Sequence, residues 1–119
     1  MYSIQKPSRS EFVPIRHLRY HVLQWGTPSP DKTPIVMVHG WMDVAASFQF
    51  VIDALKDNHW IIAPDWRGFG LTETPDVDHF FFPDYLADLD QLLDHYVGDR
   101  QVHLIGHSMG GHVATLFAG

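Results

Sequence analysis

The 119-residue chain is 45% hydrophobic, 18% charged and 13% aromatic, an ordinary globular composition that argues against disorder, collagen-like repeats and a membrane span. Fourteen acidic against eight basic side chains leave a net charge of −6, so no basic field draws the chain to nucleic acid or to an anionic membrane. It has no cysteine, which removes disulfides, thiolate nucleophiles and Cys-ligated metal, and no apolar run follows Met1, so a single cytoplasmic domain is expected.

Residues 12–25, FVPIRHLRYHVLQW, place Leu18, Tyr20 and Val22 on one side and Arg19 and His21 on the other, the period-two pattern of two half-buried antiparallel strands. Turn formers between Gly26 and Pro34 lead into Ile35–Val38, an all-apolar run suited to a strand covered on both faces. Phe48, Val51, Ile52 and Leu55 then recur at i, i+3, i+4 and i+7, predicting a helix that starts near Ala46 or Ser47. Trp60–Ala63 reads as a second buried strand, closed by Pro64, which has no N–H for a central ladder. Residues 65–82 read as loop, with Gly68, Gly70 and Pro75 as breakers.

From Asp84 to Val97 a helix is predicted to turn Tyr85, Leu89, Leu92, Leu93 and Tyr96 inward and Asp84, Asp88 and Asp94 outward, with Gly98 as its stop. Gln101–Ile105 is a third buried strand candidate, and Met109–Ala118 a last helix. After its antiparallel start the chain alternates strand and helix, which implies an α/β fold: a mostly parallel sheet, right-handed crossovers and helices on both faces. Ligands of such sheets bind at the carboxyl ends of the strands. Three segments sit there: His39-Gly40-Trp41, Asp65-Trp66-Arg67-Gly68 and Gly106-His107-Ser108-Met109-Gly110.

The last segment has the form G-x-S-x-G between an apolar strand and a helix, the context in which that motif presents a serine Oγ on a strained turn. Gly106 and Gly110 let neighbouring chain approach closely, and the first amides of the helix, Met109 foremost, point toward whatever Ser108 attacks. The plainer alternative is a serine that caps the helix. Gly40 lets the chain turn so that the Trp41 amide faces the same spot, while His39 itself reads as a satisfied turn histidine. Asp65 and Arg67 read as residues that pin their loop by hydrogen bonds and an ion pair.

Nine histidines invite a metal site, yet His103, His107 and His112 fall on a strand, a turn and a helix, and no H-E-x-x-H occurs. The helix carboxylates Asp84, Asp88, Asp90 and Asp94 read as a solvated face rather than an acid–base pair. Gly68-Phe69-Gly70 lacks a third glycine at the required offset and there is no Gly-Lys-Ser/Thr run, so no dinucleotide or nucleotide cofactor is implied.

The ordered motifs HGWMD, DWRGFG and GHSMGG resemble the α/β-hydrolase superfamily, especially its esterase-like and haloperoxidase-like members, over Phe12 to Gly119. The resemblance implies Ser108 as nucleophile, the backbone amides of Trp41 and Met109 as oxyanion hole, and His39, Gly40, Gly106, His107 and Gly110 as motif support. It implies cleavage of a small-molecule ester, thioester, amide or lactone; from charge and motif spacing no cofactor, metal, nucleic-acid or membrane partner is expected. Serine at the elbow differs from the dehalogenase and epoxide-hydrolase branches, whose nucleophile is a carboxylate.

The family completes its machinery in the order serine, acid, histidine, and the eleven residues after Ser108 hold no Asp or Glu and only His112, one turn into the following helix. Residues 1–119 are therefore expected to be the amino-terminal part of a single hydrolase domain truncated after the nucleophile helix, inactive alone, with an open apolar edge on the Gln101–Ile105 strand that makes the chain marginal and sticky. The alternatives are a catalytically inactive scaffold, or a parent that performs acyl transfer or cofactor-free oxygen chemistry on the same fold. Trp41, Met42 and Phe80–Phe82 suggest an apolar acyl pocket, and packing around a helix start accounts for Phe80–Phe82 equally well.

Overall fold

The computed structural model describes residues 2–75 and 81–119. Strands β1 (Arg9–Ile15) and β2 (Leu18–Trp25) form a hairpin with Ile15 opposite Leu18, and its two turn residues, Arg16 and His17, both have positive φ. That conformation matches the right-handed twist of paired strands. β3 (Ile35–Val38), β4 (Ile61–Pro64) and β5 (His103–Gly106) complete a five-stranded sheet in the order β1-β2-β4-β3-β5. β2 pairs antiparallel with β4, while β3 lies parallel to both β4 and β5.

A 3-10 turn (Ala45–Phe48) leads into α1 (Gln49–Ala54); α2 (Phe82–Tyr96) and α3 (Met109–Ala118) follow. Alternation along the strands divides the core in two. Val36, Val38 and Ile62 pack with Tyr85, Leu89 and Leu92 of α2 and Val113 of α3, whereas Ile35, Met37, Ile61 and Ala63 pack with Ile52 of α1. Helices thus cover both faces, as an α/β fold requires.

Four local expectations change. Pro64 is the last residue of β4, opposite Val22, rather than its stop. β2 is not half-buried, because it is flanked on both edges by strands and His21 and Leu23 on its second face are covered as well as Tyr20 and Val22. Asp88 does not face solvent but is buried, ion-paired to Arg67 and Arg16. β5 is not a buried strand: it lies at the sheet edge with Ile105 45% exposed.

Ile105 looks onto a cavity of 520 Å³ lined by Met37, Phe48, Val51 and Leu55, so the second core layer thins out at β5. An apolar edge that pairs on one side only is a template for association. The 119-residue chain is expected to self-associate as its concentration rises, and Ile105→Lys to reduce this by placing a charge on the edge. Sedimentation velocity over a concentration series checks it; a wild-type chain that stays monomeric and melts sharply would rule the effect out.

Candidate active site

The parallel register aligns the ends of β3 and β5. Val38 stands opposite Gly106, and the His107 N–H continues the ladder by donating to the Val38 carbonyl at 3.0 Å. The next residues of both strands, His39-Gly40 and His107-Ser108, therefore leave the sheet side by side. A Cβ added at Gly40 would lie 3.0 Å from Ser108 Cβ and 3.1 Å from the His107 carbonyl oxygen, so a larger residue there would require the two turns to move apart by a few tenths of an ångström.

Ser108 has φ 56° and ψ −118° and stands immediately before α3. A non-glycine residue held there stores on the order of 1–3 kcal/mol of backbone strain. The turn is held from both sides: the Gly110 N–H donates to the His107 carbonyl at 3.0 Å, and the His112 N–H to the Ser108 carbonyl at 3.1 Å. A Cβ on Gly110 would fall 2.3 Å from the Val38 carbonyl oxygen, and one on Gly106 2.4 Å from the Gly110 backbone, so the helix start is packed directly on the sheet. Ser108 is exposed and its side chain makes no capping bond to α3. The capping alternative therefore does not describe this serine.

His39 is fully buried and ties the first turn to the second. Its Nδ1 donates to the Gly40 carbonyl at 2.7 Å, its Nε2 accepts the Trp66 N–H at 2.9 Å, and the Trp66 indole donates to the His39 carbonyl at 2.9 Å. These partners assign a neutral ring with the proton on Nδ1. Burial lowers its pKa, and the Gly40 carbonyl together with Asp65 and Asp43 offsets this only in part.

The unfolded chain therefore binds a proton more readily than the folded one. This contribution to stability is complete above the unfolded value of 6.5 and is lost as pH falls through the lowered folded value. Urea midpoints measured at about pH 7.5 and about pH 5.5 should fall on acidification, and His39→Gln should flatten that dependence. An equal slope in both proteins would exclude His39 as its source.

Asp65 and Arg67 do pin their loop, but with partners the sequence did not indicate. The Asp65 carboxylate accepts from the Ala45 N–H at 2.8 Å and the Leu71 N–H at 3.0 Å and contacts His21 Nδ1 at 2.7 Å. Arg67 reaches Asp88 instead, Nε to Oδ2 at 2.6 Å and Nη2 to Oδ1 at 2.8 Å, which raises the arginine pKa further. The spacing did carry a signal for Asp88: it lies at i+3 from Tyr85 and i−4 from Leu92, within the apolar stripe.

Trp41, half-exposed, sets its ring edge-on to Phe69 at 5.0 Å, and Met42 is 82% exposed at φ 56°. Phe82 packs on His112 at 5.3 Å between α2 and α3, Phe81 is exposed, and Phe80 lies outside the described residues. His112, engaged with Phe82, donates only its backbone N–H toward Ser108. Asp43 is held below the usual carboxylate range chiefly by the Ser47 hydroxyl at 2.5 Å. Among the described residues no cluster of three potential metal ligands forms, and no helix is long and apolar enough to cross a membrane.

A family profile described as the alpha/beta hydrolase fold matches residues 33–119. The chain is 37% identical over 113 residues to a serine hydrolase-like protein of Danio rerio, covering 92% of this chain and 33% of that protein. It is 39% identical over 85 residues to a soluble epoxide hydrolase of Corynebacterium sp. (strain C12), covering 71% of this chain and 29% of that one. Among solved structures, the ligand-free epoxide hydrolase CorEH superposes with a TM-score of 0.81 at 33% identity, over 94% of this chain and 38% of the other. A putative lipase from Acinetobacter baumannii AYE gives 0.82 at 23% identity, over 93% and 36%, a likeness of fold. The chain spans about a third of the length of the curated relatives it matches.

Proposed function

Because the chain belongs to the α/β-hydrolase family, we propose that Ser108 is the nucleophile of a hydrolase acting on an acyl carbon. The observation that carries this reading is the exposed Ser108 hydroxyl at positive φ, beside the Gly40 turn and not spent on capping α3. Attack on a carbonyl turns its oxygen into an oxyanion. The backbone amides of Met109, at the first position of α3, and of Trp41, just past Gly40, are the groups proposed to receive it.

A serine hydroxyl is a weak nucleophile until an adjacent base takes its proton. The base and its orienting acid are proposed to come from sequence beyond residues 1–119, in the order the family uses, with residues 1–119 as the amino-terminal part of that domain. An ester, thioester, amide or lactone of small size is the proposed substrate class.

A second reading, hydration of an epoxide, is favoured by the similarity to the Corynebacterium soluble epoxide hydrolase. Serine weighs against it. A carboxylate nucleophile is ionised at neutral pH without assistance, whereas a hydroxyl that needs a base is matched to acyl transfer, where proton loss and oxyanion formation proceed together. A fluorophosphonate probe applied to the full-length protein should label the peptide that carries Ser108, and Ser108→Ala should lose the label at that peptide. Absence of label from the Ser108 peptide of the wild-type protein, or faster turnover of an aryl epoxide than of an aryl ester, would overturn the acyl reading.

A further inference from the structure

At the opposite edge of the sheet from β5, Ser10, His21 and Asp65 form a second hydrogen-bonded relay. Ser10 Oγ lies 2.6 Å from His21 Nε2, and His21 Nδ1 lies 2.7 Å from Asp65 Oδ2. The strand registers create it. Phe12 stands opposite His21 in the hairpin, so Ser10, two residues along β1, is its diagonal neighbour on the same face; Pro64 stands opposite Val22, so Asp65 comes level with His21. Backbone bonds lock the arrangement: the Asp65 N–H donates to the His21 carbonyl at 2.9 Å, and the Thr72 hydroxyl accepts the His21 N–H at 2.8 Å while donating to the Asp65 carbonyl at 2.7 Å.

The proton positions follow from the partners. The Asp65 carboxylate already accepts two backbone N–H groups, and as an acceptor it requires the imidazole proton on Nδ1. His21 Nε2 is then a lone pair, and the Ser10 hydroxyl donates to it. His21 and Asp65 are buried, which keeps water from competing for these bonds, whereas Ser10 is exposed on the edge strand and open to a reagent. Phe12, partly exposed, lies beside the imidazole at 5.1 Å between ring centroids, with the Arg19 guanidinium stacked 3.8 Å above it. That pair offers an apolar surface and a cation to an aromatic leaving group that departs as an anion.

We propose that Ser10 is a second nucleophilic site, independent of Ser108, that is acylated by small activated esters such as aryl esters. Ser10 Oγ bonds to the acyl carbon, its proton passes to His21 Nε2, the imidazolium is stabilised by Asp65, and the carbon–oxygen bond to the leaving phenol breaks, releasing the phenolate. The products are acyl-Ser10 and the phenolate, and the proton held on His21 is then released to solvent. An activated ester is the matching class because its leaving group asks least of oxyanion stabilisation.

The test treats the full-length protein with p-nitrophenyl acetate and follows acetylation of each serine by peptide mass mapping. Ser8, two residues away and also exposed, serves as internal reference, and the Ser10 and Ser108 peptides are read separately. A positioned general base contributes on the order of 10²–10⁴-fold, so Ser10 should be acetylated at least about ten-fold faster than Ser8. In a Ser108→Ala background, Ser10→Ala should remove the stoichiometric burst of p-nitrophenolate, and His21→Gln should bring Ser10 down to the rate of Ser8. Concentrated urea, which needs no folded variant, should equalise the two serines in the wild-type chain. A Ser10 rate less than about ten-fold above Ser8, or an advantage that survives urea, overturns the proposal whatever the reactivity of Ser108.

Discussion

Replacing Asp88 with alanine is expected to destabilise the domain by about 3–5 kcal/mol, enough to unfold much of the population at ordinary temperature, because it strands a buried arginine. Both Asp88 carboxylate oxygens are engaged: Arg67 bridges them in a fork, Arg16 Nη1 adds a contact at 3.1 Å, and the Tyr20 hydroxyl donates to Oδ2. The Tyr20 oxygen in turn accepts the Arg67 backbone N–H at 3.1 Å. Burial pushes the Tyr20 hydroxyl well above its usual pKa and the nearby Asp88 charge adds to this, so Tyr20 remains a donor at every working pH.

Without Asp88, the Arg67 guanidinium would keep, among the described residues, a 3.6 Å contact to Asp84, which is itself partly exposed. Asp88→Asn retains shape and one acceptor and should fall between wild type and alanine. Asp94→Ala, on the exposed face of the same helix, should stay within about 0.5 kcal/mol of wild type. Urea denaturation of the three variants measures the order. An Asp88→Ala loss as small as that of Asp94→Ala would mean the network adds nothing net to stability.

Substituting Ser108 is expected to separate activity from stability. If Ser108 is the nucleophile as proposed, Ser108→Ala in the full-length protein should lower kcat for an aryl ester by on the order of 10⁶-fold, the scale on which loss of a triad serine acts. Ser108→Gly should be equally inactive yet stabilise the fold by roughly 1 kcal/mol, because glycine accepts φ 56° without the Cβ penalty that alanine retains. Alanine should leave the unfolding midpoint close to that of serine, since the hydroxyl makes no capping bond. Kinetics and thermal melts of the two variants decide between readings. If glycine is no more stable than alanine, the turn is not strained; if alanine keeps ester turnover, Ser108 is not the nucleophile.

Residues 35–38 and 61–64 are apolar without interruption, and the helices that follow carry a 3.6-residue stripe, so the alternation of buried strands and helices is written in local spacing. The three strand-end segments could be located for the same reason: each is a short glycine-containing segment at the end of a strand legible from its apolar run. The G-x-S-x-G context also pointed to a strained turn at Ser108, since a strand-to-helix reversal of that length leaves the central residue few conformations.

Residue identity misled where a partner distant in sequence decided burial. Asp88 lies in the apolar stripe of α2 by position, and only the Arg67 guanidinium, delivered by the loop after β4, makes a carboxylate tenable there. His21 reads as an outward residue of a two-sided strand, but β4 on one side and β1 on the other bring Asp65 and Ser10 to its two nitrogens. The proximity of Gly40 to Ser108 likewise depends on β3 and β5 being parallel and level, a register set by long-range pairing. Local spacing reports which way a side chain points along its own element; which atoms it meets is settled only when strands far apart in the chain come into register.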